Sequence, residues 1–279
     1  MKIATDLWHR RGYDIAGELR LIKDAGFDGV EFTFSEANEN TPMVSDRGYL
    51  RIEHAVDDAR LLHKAAVDVG LEVHSVRSGL LWRYPLTSPD PGIRERAVEI
   101  IMRELEACSI LGATALLIVP GVVNENISYD EAYRLSQESL RRVVGRAEDL
   151  GVTLAIENVC SNFLLSPLEF AKFIDELGSP VVGAYLDIGN VMDCRLGYPQ
   201  HWVRVLGSRV KRVHIKDYSV SLRGIVDLFN GDVDWRAVMR ELRGVNYNGY
   251  LTAELHPFNM AYELYFRQLA ERMRMLINL

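Results

Sequence analysis

The sequence predicts a single (β/α)8 barrel, and three observations lead to that fold class. Short β-branched, apolar runs alternate strictly with amphipathic helical stretches along the 279 residues, which is typical of βαβ units and a parallel sheet. Eight such strand–helix pairs can be counted, the number that closes a barrel. The alternative is a doubly wound open sheet, but no glycine-rich phosphate loop favours it. We therefore expect residues 1–279 to form one barrel domain.

The predicted strands are the apolar runs, each of which ends in polar residues. In chain order they are KIATDLW (2–8), FDGVEFT (27–33), LEVHSVR (71–77), TALLIVP (114–120), VTLAIEN (152–158), VGAYLDI (182–188), VKRVHIK (210–216) and YLTAELH (250–256). Helices are predicted at 13–25, 54–69, 92–111, 129–149, 167–177, 198–207, 234–243 and 259–277. Glycines near the helix ends suit the left-handed residue that commonly ends a helix. The longer segments 34–53 and 78–91 are expected to form rim loops.

Composition limits the classes of partner and the compartment. The net charge of −7, without a block of Lys or Arg, disfavours nucleic acid and anionic membranes as partners. Cys108, Cys160 and Cys194 are an odd number without a CxxC pair, which fits a reducing compartment better than a disulfide framework. The N-terminus MKIATDLW lacks the apolar core of a signal peptide, and no apolar run reaches membrane-spanning length. We therefore expect a cytoplasmic protein that acts on a small molecule.

Ionisable residues end the last four predicted strands, where the active site of such a barrel lies. These residues are Glu157 in AIEN, Asp187 in YLDIGN, His214 in RVHIKD and Glu254 in TAELHP. Three carboxylates and a neutral imidazole suit a hard or borderline divalent cation, and without one the carboxylates would repel each other. Each could instead be an isolated polar residue paired with Lys or Arg. Their recurrence at one position in four consecutive repeats favours the metal site.

The segments AIEN, YLDIGN, VHIKD, GDVDW and TAE resemble those of the xylose-isomerase-like barrels, in the branch of sugar and sugar-phosphate isomerases and epimerases. The resemblance runs from the second repeat to the eighth. It implies that Glu157, Asp187, His214 and Glu254 bind one divalent metal ion. Mn²⁺ is the first expectation, and Mg²⁺, Co²⁺ or Zn²⁺ are alternatives.

The activity implied by the resemblance is 3-epimerisation of a ketose or ketose phosphate. A cation that chelates a carbonyl and the neighbouring hydroxyl acidifies the C–H bond between them. In the ketose 3-epimerases of this family two ligand glutamates transfer the proton through a cis-enediolate, which assigns Glu157 and Glu254 as the acid/base pair. Which of the two removes the proton depends on the configuration of the substrate and stays open.

Three positions depart from the pattern of the free-ketose 3-epimerases. Those enzymes have a glutamate, a histidine and an arginine where this sequence has Phe163, Asn190 and Val220. The LDIGN and HIKD forms look more like the sugar-phosphate 3-epimerase and inositol-catabolism branches. The substrate contacts of the free-ketose enzymes are therefore not expected here, and the sugar is not identified.

Further residues at strand ends are candidates for binding the substrate: Lys216, Asn190, His256, His74 and Trp8. Each has a structural alternative. Lys216 could pair with Asp217, Asn190 could cap a turn, and Trp8 could pack in the rim. Glu31 could likewise line the mouth or be a satisfied structural residue. Arg77, Arg83 and Arg223 are candidate phosphate ligands, and Asp234 is expected to cap a helix that begins at Trp235.

Four other functions compete with epimerisation. An inosose dehydratase-like lyase would use the same barrel and metal cluster. An aldose–ketose isomerase usually needs a second metal ion, whose extra ligands are not evident. A metal-dependent endonuclease shares the fold but would need more histidines and a DNA-binding surface, which an acidic chain disfavours. A sugar-binding protein without catalysis is the last alternative. Relatives are often dimers or tetramers, so a homodimer or homotetramer is expected.

Overall fold

Eight parallel strands close into a barrel. The computed structural model describes residues 1–7, 14–36, 50–255 and 261–279. The barrel strands are β1 (Lys2–Asp6), β2 (Gly29–Ser35), β3 (Glu72–Ser78), β4 (Ala115–Ile118), β5 (Thr153–Glu157), β6 (Val182–Asp187), β7 (Val210–Ile215) and β8 (Tyr250–Ala253). Each strand pairs with its neighbours in the chain, and β1 pairs with both β2 and β8. The sheet therefore has no free edge within the barrel.

In the part of the chain that the structure describes, eight helices surround the strands. They are α1 (Ile15–Asp24), α2 (Ala55–Val69), α3 (Pro91–Leu111), α4 (Tyr129–Leu150), α5 (Pro167–Asp175), α6 (Pro199–Leu206), α7 (Trp235–Gly244) and α8 (Tyr262–Ile277). Shorter elements lie in the loops. They are the helices Leu80–Arg83 and Ile188–Asp193, the 3₁₀ turns Ile52–His54 and Gly207–Arg209, and a strand Leu50–Arg51 that pairs with β2. The segments Asp217–Ser219 and Gly224–Val226 pair as an antiparallel hairpin after β7. The predicted (β/α)8 fold is confirmed.

The helix boundaries follow from local chemistry. Asp234 accepts a hydrogen bond from the Ala237 amide (3.0 Å), so α7 begins at Trp235 as predicted. Helix α2 ends at Gly70, whose φ of 70° lies in the left-handed region that favours glycine. The apolar faces of the helices pack on the barrel in one continuous core, which includes all four residues of β4. The strands are thus held rigidly enough to position side chains at their carboxyl ends.

Cys160 and Cys194 form a disulfide, which corrects the expectation of unpaired cysteines. They are 34 residues apart in sequence, but they follow the adjacent strands β5 and β6, and their Cα atoms lie 5.0 Å apart. Cys194 caps the short helix Ile188–Asp193, and Cys108 is buried with a free thiol. The odd number of cysteines gave no sign of this pair, because the two residues are distant in sequence and are brought together by the barrel topology. In the described ranges, no helix is both long and apolar enough to cross a membrane.

Candidate metal centre

The structure brings together the four residues expected to bind a metal ion. Glu157 ends β5, Asp187 ends β6, His214 is the penultimate residue of β7, and Glu254 directly follows β8. One ligand atom from each lies within 4.8 Å of the others. Asp187 and His214 are fully buried, Glu157 is nearly so, and Glu254 is partly exposed. Their position at the carboxyl ends of neighbouring strands is that of the active sites of this fold class.

His214 directs one ring nitrogen at the carboxylates. Its Nδ1 lies 3.3 Å from Glu157 Oε1 and 3.8 Å from both Asp187 Oδ2 and Glu254 Oε2. Its Nε2 points the opposite way, 2.9 Å from Glu31 Oε1. The imidazole therefore joins the cluster to a further buried carboxylate, that of Glu31, below it.

Two asparagines fix the position of Asp187. The Asn158 side chain donates to the carbonyl of Asp187 (2.9 Å) and accepts from its amide (2.8 Å). The Asn190 amide donates to Asp187 Oδ1 (2.8 Å), so this oxygen caps the helix Ile188–Asp193. With Oδ1 occupied in this way, Oδ2 is the oxygen that faces the cluster. Sequence reasoning missed Asn158, although its place beside Glu157 in AIEN was a signal.

Two cations neutralise part of the negative charge. Lys216 Nζ lies 2.7 Å from Asp187 Oδ2 and also bonds Glu254. The Arg77 guanidinium bonds Glu254 and lies 3.0 Å from Asp6 Oδ2. The sequence left open that each strand-end residue is an isolated polar group paired with Lys or Arg. Asp187 and Glu254 do have such cationic partners, but they share them within one cluster instead of forming isolated pairs.

Lys216 does not make the pair with Asp217 that was the structural alternative for it. Asp217 is fully buried and accepts hydrogen bonds from the amides of Tyr218, Phe229 and Val233 and from Trp235 Nε1. Asp217 therefore organises the loop between the hairpin and α7. The side chain of Lys216 points to the carboxylate cluster instead.

The cluster perturbs the protonation of its own members. Burial raises the pKa of Asp187, and the neighbouring Glu254 and Glu157 add to this against the effect of Lys216, to give about 7. Burial alone would also raise the pKa of Glu254, but Lys216 and Arg77 outweigh it and hold that pKa well below its usual range. Burial lowers the pKa of His214, but Glu31 and Glu157 outweigh this and raise it well above its usual value.

The donor set fits a divalent cation. Ligand atoms at about 2.0–2.3 Å from a metal ion are at most about 4.5 Å apart. The observed spread of 4.8 Å therefore requires only a small contraction. Three carboxylate oxygens and one imidazole nitrogen are ligands that Mn²⁺, Mg²⁺, Co²⁺ or Zn²⁺ accept. A cation there would supply the positive charge that the proton on His214 provides without it.

A cavity of about 510 Å³ opens above the cluster. Glu157, Glu254, Lys216 and Asn190 line its floor. Its wall is formed by Thr33, Phe34, Ser35, Glu36, Arg77, Ser78, Gly79, Leu80, Trp82, Arg83, Leu117, Val119, Val159 and Cys160. The volume lies within the usual range for small-molecule sites, and the mixture of apolar and polar walls is typical of them.

The structure separates the predicted substrate contacts into two groups. Lys216 and Asn190 line the cavity, but His74 does not. Strand β3 continues to Ser78, so His74 lies in its first half rather than at its end. The His74 ring stacks on Tyr250 at 4.2 Å, and its Nε2 lies 3.0 Å from Thr252 Oγ1. Trp8 and His256 lie outside the described residues.

The candidate phosphate ligands, and the positions that depart from the family pattern, also fall into two groups: residues that line the cavity and residues that do not. Arg77 and Arg83 line the cavity, and Arg83 pairs with Glu36 at 2.5 Å. Arg223 lies in the turn of the hairpin after β7, away from the cavity lining. Phe163 is buried among the rings of Tyr129, Tyr133 and Phe173, and Val220 is exposed on the hairpin. Of the three departing positions, Asn190 lines the cavity.

The profile of the xylose isomerase-like TIM barrel family matches residues 19–276. The chain belongs to this family. The chain is 25% identical over 237 residues to the L-ribulose-5-phosphate 3-epimerase UlaE of Shigella flexneri, covering 85% of this chain and 80% of that protein. It is 26% identical over 244 residues to the putative L-ribulose-5-phosphate 3-epimerase SgbU of Escherichia coli K12, covering 85% and 82%.

Solved structures support the xylose isomerase-like fold. An L-ribulose 3-epimerase superposes with a TM-score of 0.80 at 20% identity, covering 99% of this chain and 94% of that one. The 3-keto-D-glucoside 4-epimerase of E. coli superposes with a TM-score of 0.76 at 19% identity, covering 100% of both chains. At these identities the structural likeness establishes the fold. The sequence relatives are epimerases.

Proposed function

We propose that the protein is a metal-dependent 3-epimerase of a ketose or ketose phosphate. The observation that carries the proposal is that two carboxylates of the candidate metal centre, Glu157 and Glu254, also line the floor of the cavity. Glu157 ends β5 and Glu254 directly follows β8, so β6 and β7 lie between them and they approach the cavity from different sides. The names of the sequence relatives support the class of substrate.

A divalent cation held by Glu157, Asp187, His214 and Glu254 would polarise the substrate carbonyl and acidify the neighbouring C–H bond. One glutamate then accepts the proton of C3 from one face of the sugar. The other glutamate, which carries a proton at the start of the turnover, donates it to the opposite face of the resulting cis-enediolate and so inverts the configuration at C3; proton exchange with solvent then restores both glutamates. We assign both steps to Glu157 and Glu254, without fixing the order.

Two cavity residues orient the sugar in this proposal. Asn190 uses its side-chain nitrogen to donate to the Asn158 carbonyl (2.9 Å), which leaves its Oδ1 as the atom to accept a hydrogen bond from a sugar hydroxyl. Lys216 donates to a substrate oxygen from its position beside Glu254 and Asp187. We further propose that the metal is Mn²⁺, that the protein acts in the cytoplasm, and that it forms a homodimer or homotetramer.

Solvent isotope exchange tests the proposed reaction. The Mn²⁺-loaded protein is incubated in D2O with a panel of ketoses, ketose 5-phosphates and inosose, and products are identified by NMR and mass spectrometry. We expect deuterium at C3 of one ketose together with its 3-epimer, and no exchange after treatment with a chelator. Loss of water from inosose would show the lyase instead. Isomerisation without deuterium uptake would show hydride transfer, and either result would contradict the epimerase proposal.

A further inference from the structure

Another carboxylate, outside the four candidate ligands, lies directly beneath the candidate metal centre. Glu31 is on β2, inside the barrel, and is fully buried. Its Oε1 lies 2.9 Å from Nε2 of His214, and its Oε2 accepts hydrogen bonds from Ser75 Oγ (2.5 Å) and the Tyr185 hydroxyl (2.6 Å). These partners come from β3, β6 and β7. Glu31 therefore connects β2, β3 and β6 to the imidazole on β7.

The partners of Glu31 determine its ionisation. A buried carboxylate is costly unless it is paired and hydrogen-bonded. Ser75 and Tyr185 both donate to Oε2 of Glu31, and Arg77 Nε lies 3.9 Å from its Oε1, so donors and a cation surround Glu31 as an ionised carboxylate requires. An ionised carboxylate can only accept hydrogen bonds. The His214 Nε2 that faces it must therefore carry a hydrogen.

The hydrogen on Nε2 of His214 determines the state of the other ring nitrogen, Nδ1. A neutral imidazole has one N–H, so a hydrogen on Nε2 leaves a lone pair on Nδ1. Nδ1 is the nitrogen that lies 3.3–3.8 Å from the oxygens of Glu157, Asp187 and Glu254. A carboxylate that orients a metal-binding histidine in this way raises the basicity of the ligand nitrogen.

We propose that Glu31 is a positioning residue that holds His214 in the Nε2-protonated tautomer, so that Nδ1 binds the divalent cation. The inference rests on the metal site of the proposed function, but not on the reaction or the sugar. Tyr185 helps to hold both residues in place, because its hydroxyl donates a hydrogen bond to Glu31 and its ring lies 4.2 Å from the ring of His214.

The substitution Glu31→Gln tests the tautomer directly. Ser75 and Tyr185 both donate to the position of Oε2, so the carbonyl oxygen of a glutamine would take that place. Its NH2 group would then face Nε2 of His214 and donate to it. A neutral imidazole would have to carry its hydrogen on Nδ1, pointing at the carboxylates and blocking the metal.

The primary measurement is calorimetric titration of Mn²⁺ into chelator-stripped protein, without substrate. We expect Glu31→Gln to weaken binding about 100-fold, the upper end for residues that support metal ligands. The control Ser75→Ala removes a hydrogen bond to the same carboxylate but leaves the contact with His214, and should weaken binding by no more than about threefold. Binding by Glu31→Gln within threefold of the unaltered protein would overturn the proposal.

A second measurement does not depend on the folding of a variant. Long-range ¹⁵N–¹H NMR of the Mg²⁺-loaded, unaltered protein should show the His214 proton on Nε2, and a proton on Nδ1 would overturn the inference. If the unaltered protein binds no Mn²⁺, the inference and the metal site of the proposed function both fail. If Mn²⁺ binds and depends on Glu31 but no C3 deuterium is incorporated, the epimerase proposal fails alone.

Discussion

The identity of one small residue decides where the Lys216 side chain can lie. Gly189 is the second residue of the helix Ile188–Asp193, and a Cβ there would overlap Lys216 Cγ and lie 2.9 Å from the Lys216 carbonyl oxygen. The side chain of Lys216 therefore crosses the helix at a point where only glycine leaves room. This close approach brings its Nζ to Asp187 and Glu254.

Gly189→Ala should displace Lys216 and destabilise the fold by about 1–3 kcal/mol, the usual cost of overpacking. Urea unfolding monitored by circular dichroism measures the change. Gly145→Ala is the matched control, because Gly145 lies within α4 with nothing within 4 Å of a new Cβ. Alanine there should stabilise by about 0.5–1 kcal/mol. Equal effects of the two substitutions would contradict the role of Gly189.

The acid/base assignment predicts what neutral isosteres of the two glutamates do. Glu157→Gln and Glu254→Gln keep the shape of the side chain but cannot exchange a proton, so each should reduce turnover by about 10²–10⁴-fold. Product formation by NMR measures this under Mn²⁺ saturation, and circular dichroism checks the fold. Asn190→Ala removes a proposed hydroxyl contact and the hydrogen bond to the Asn158 carbonyl but no group that transfers a proton, so it should lower activity far less. Substantial turnover in either glutamine variant would remove that residue from the pair.

At the scale of elements, two links tie the loop after β5 to the helix after β6. Asn158 bonds the backbone of Asp187, and the disulfide joins Cys160 to Cys194. Both links hold segments that carry a candidate metal ligand. Cys160 also lines the cavity, so the covalent link lies at the edge of the site.

The disulfide makes a prediction that thiol counting can check. Unfolded without reductant, the protein should show one reactive thiol, that of Cys108, and after reduction it should show three. Because the cysteines are 34 positions apart in sequence, reduction should lower the free energy of unfolding by about 3–4 kcal/mol in the chain-entropy account. The double variant Cys160→Ser/Cys194→Ser should be insensitive to reductant. Three thiols without reductant would show that the disulfide does not form.

The sequence predicted the elements well because strands and helices are local patterns. All eight predicted strands and helices correspond to described elements, since apolar runs and helical periodicity mark them. Four strand-end residues could be grouped for the same reason. Contacts between distant residues were harder to predict: the pair Cys160–Cys194 and the ion pair of Arg77 with Glu254 depend on how the strands close. His74 was placed wrongly at a strand end because β3 extends to Ser78.

At the scale of the whole molecule, negative charge is concentrated in the interior of the barrel. The net charge is −7 over 279 residues, but several buried carboxylates converge on the barrel axis near one end. Lys216, Arg77 and the proton on His214 compensate them when no metal is bound. Metal binding therefore exchanges protons for a cation and couples the affinity for metal to pH.

This coupling predicts that Mn²⁺ affinity rises with pH. Without metal, burial and the neighbouring glutamates raise the pKa of Asp187 to about 7, and, against the effect of burial, Glu31 and Glu157 raise the pKa of His214 well above its usual value, so both groups hold protons at pH 6. A metal ion binds only their deprotonated forms, so each displaced proton should weaken binding by up to about tenfold per pH unit below those pKa values. Calorimetry at pH 6 and 8, in two buffers that differ in ionisation enthalpy, would count the protons released. We expect tighter binding at pH 8 and at least one proton released at pH 6. Equal affinity at both pH values with no proton release would show that the cluster holds no protons in the absence of metal, and that Lys216 and Arg77 alone balance its charge.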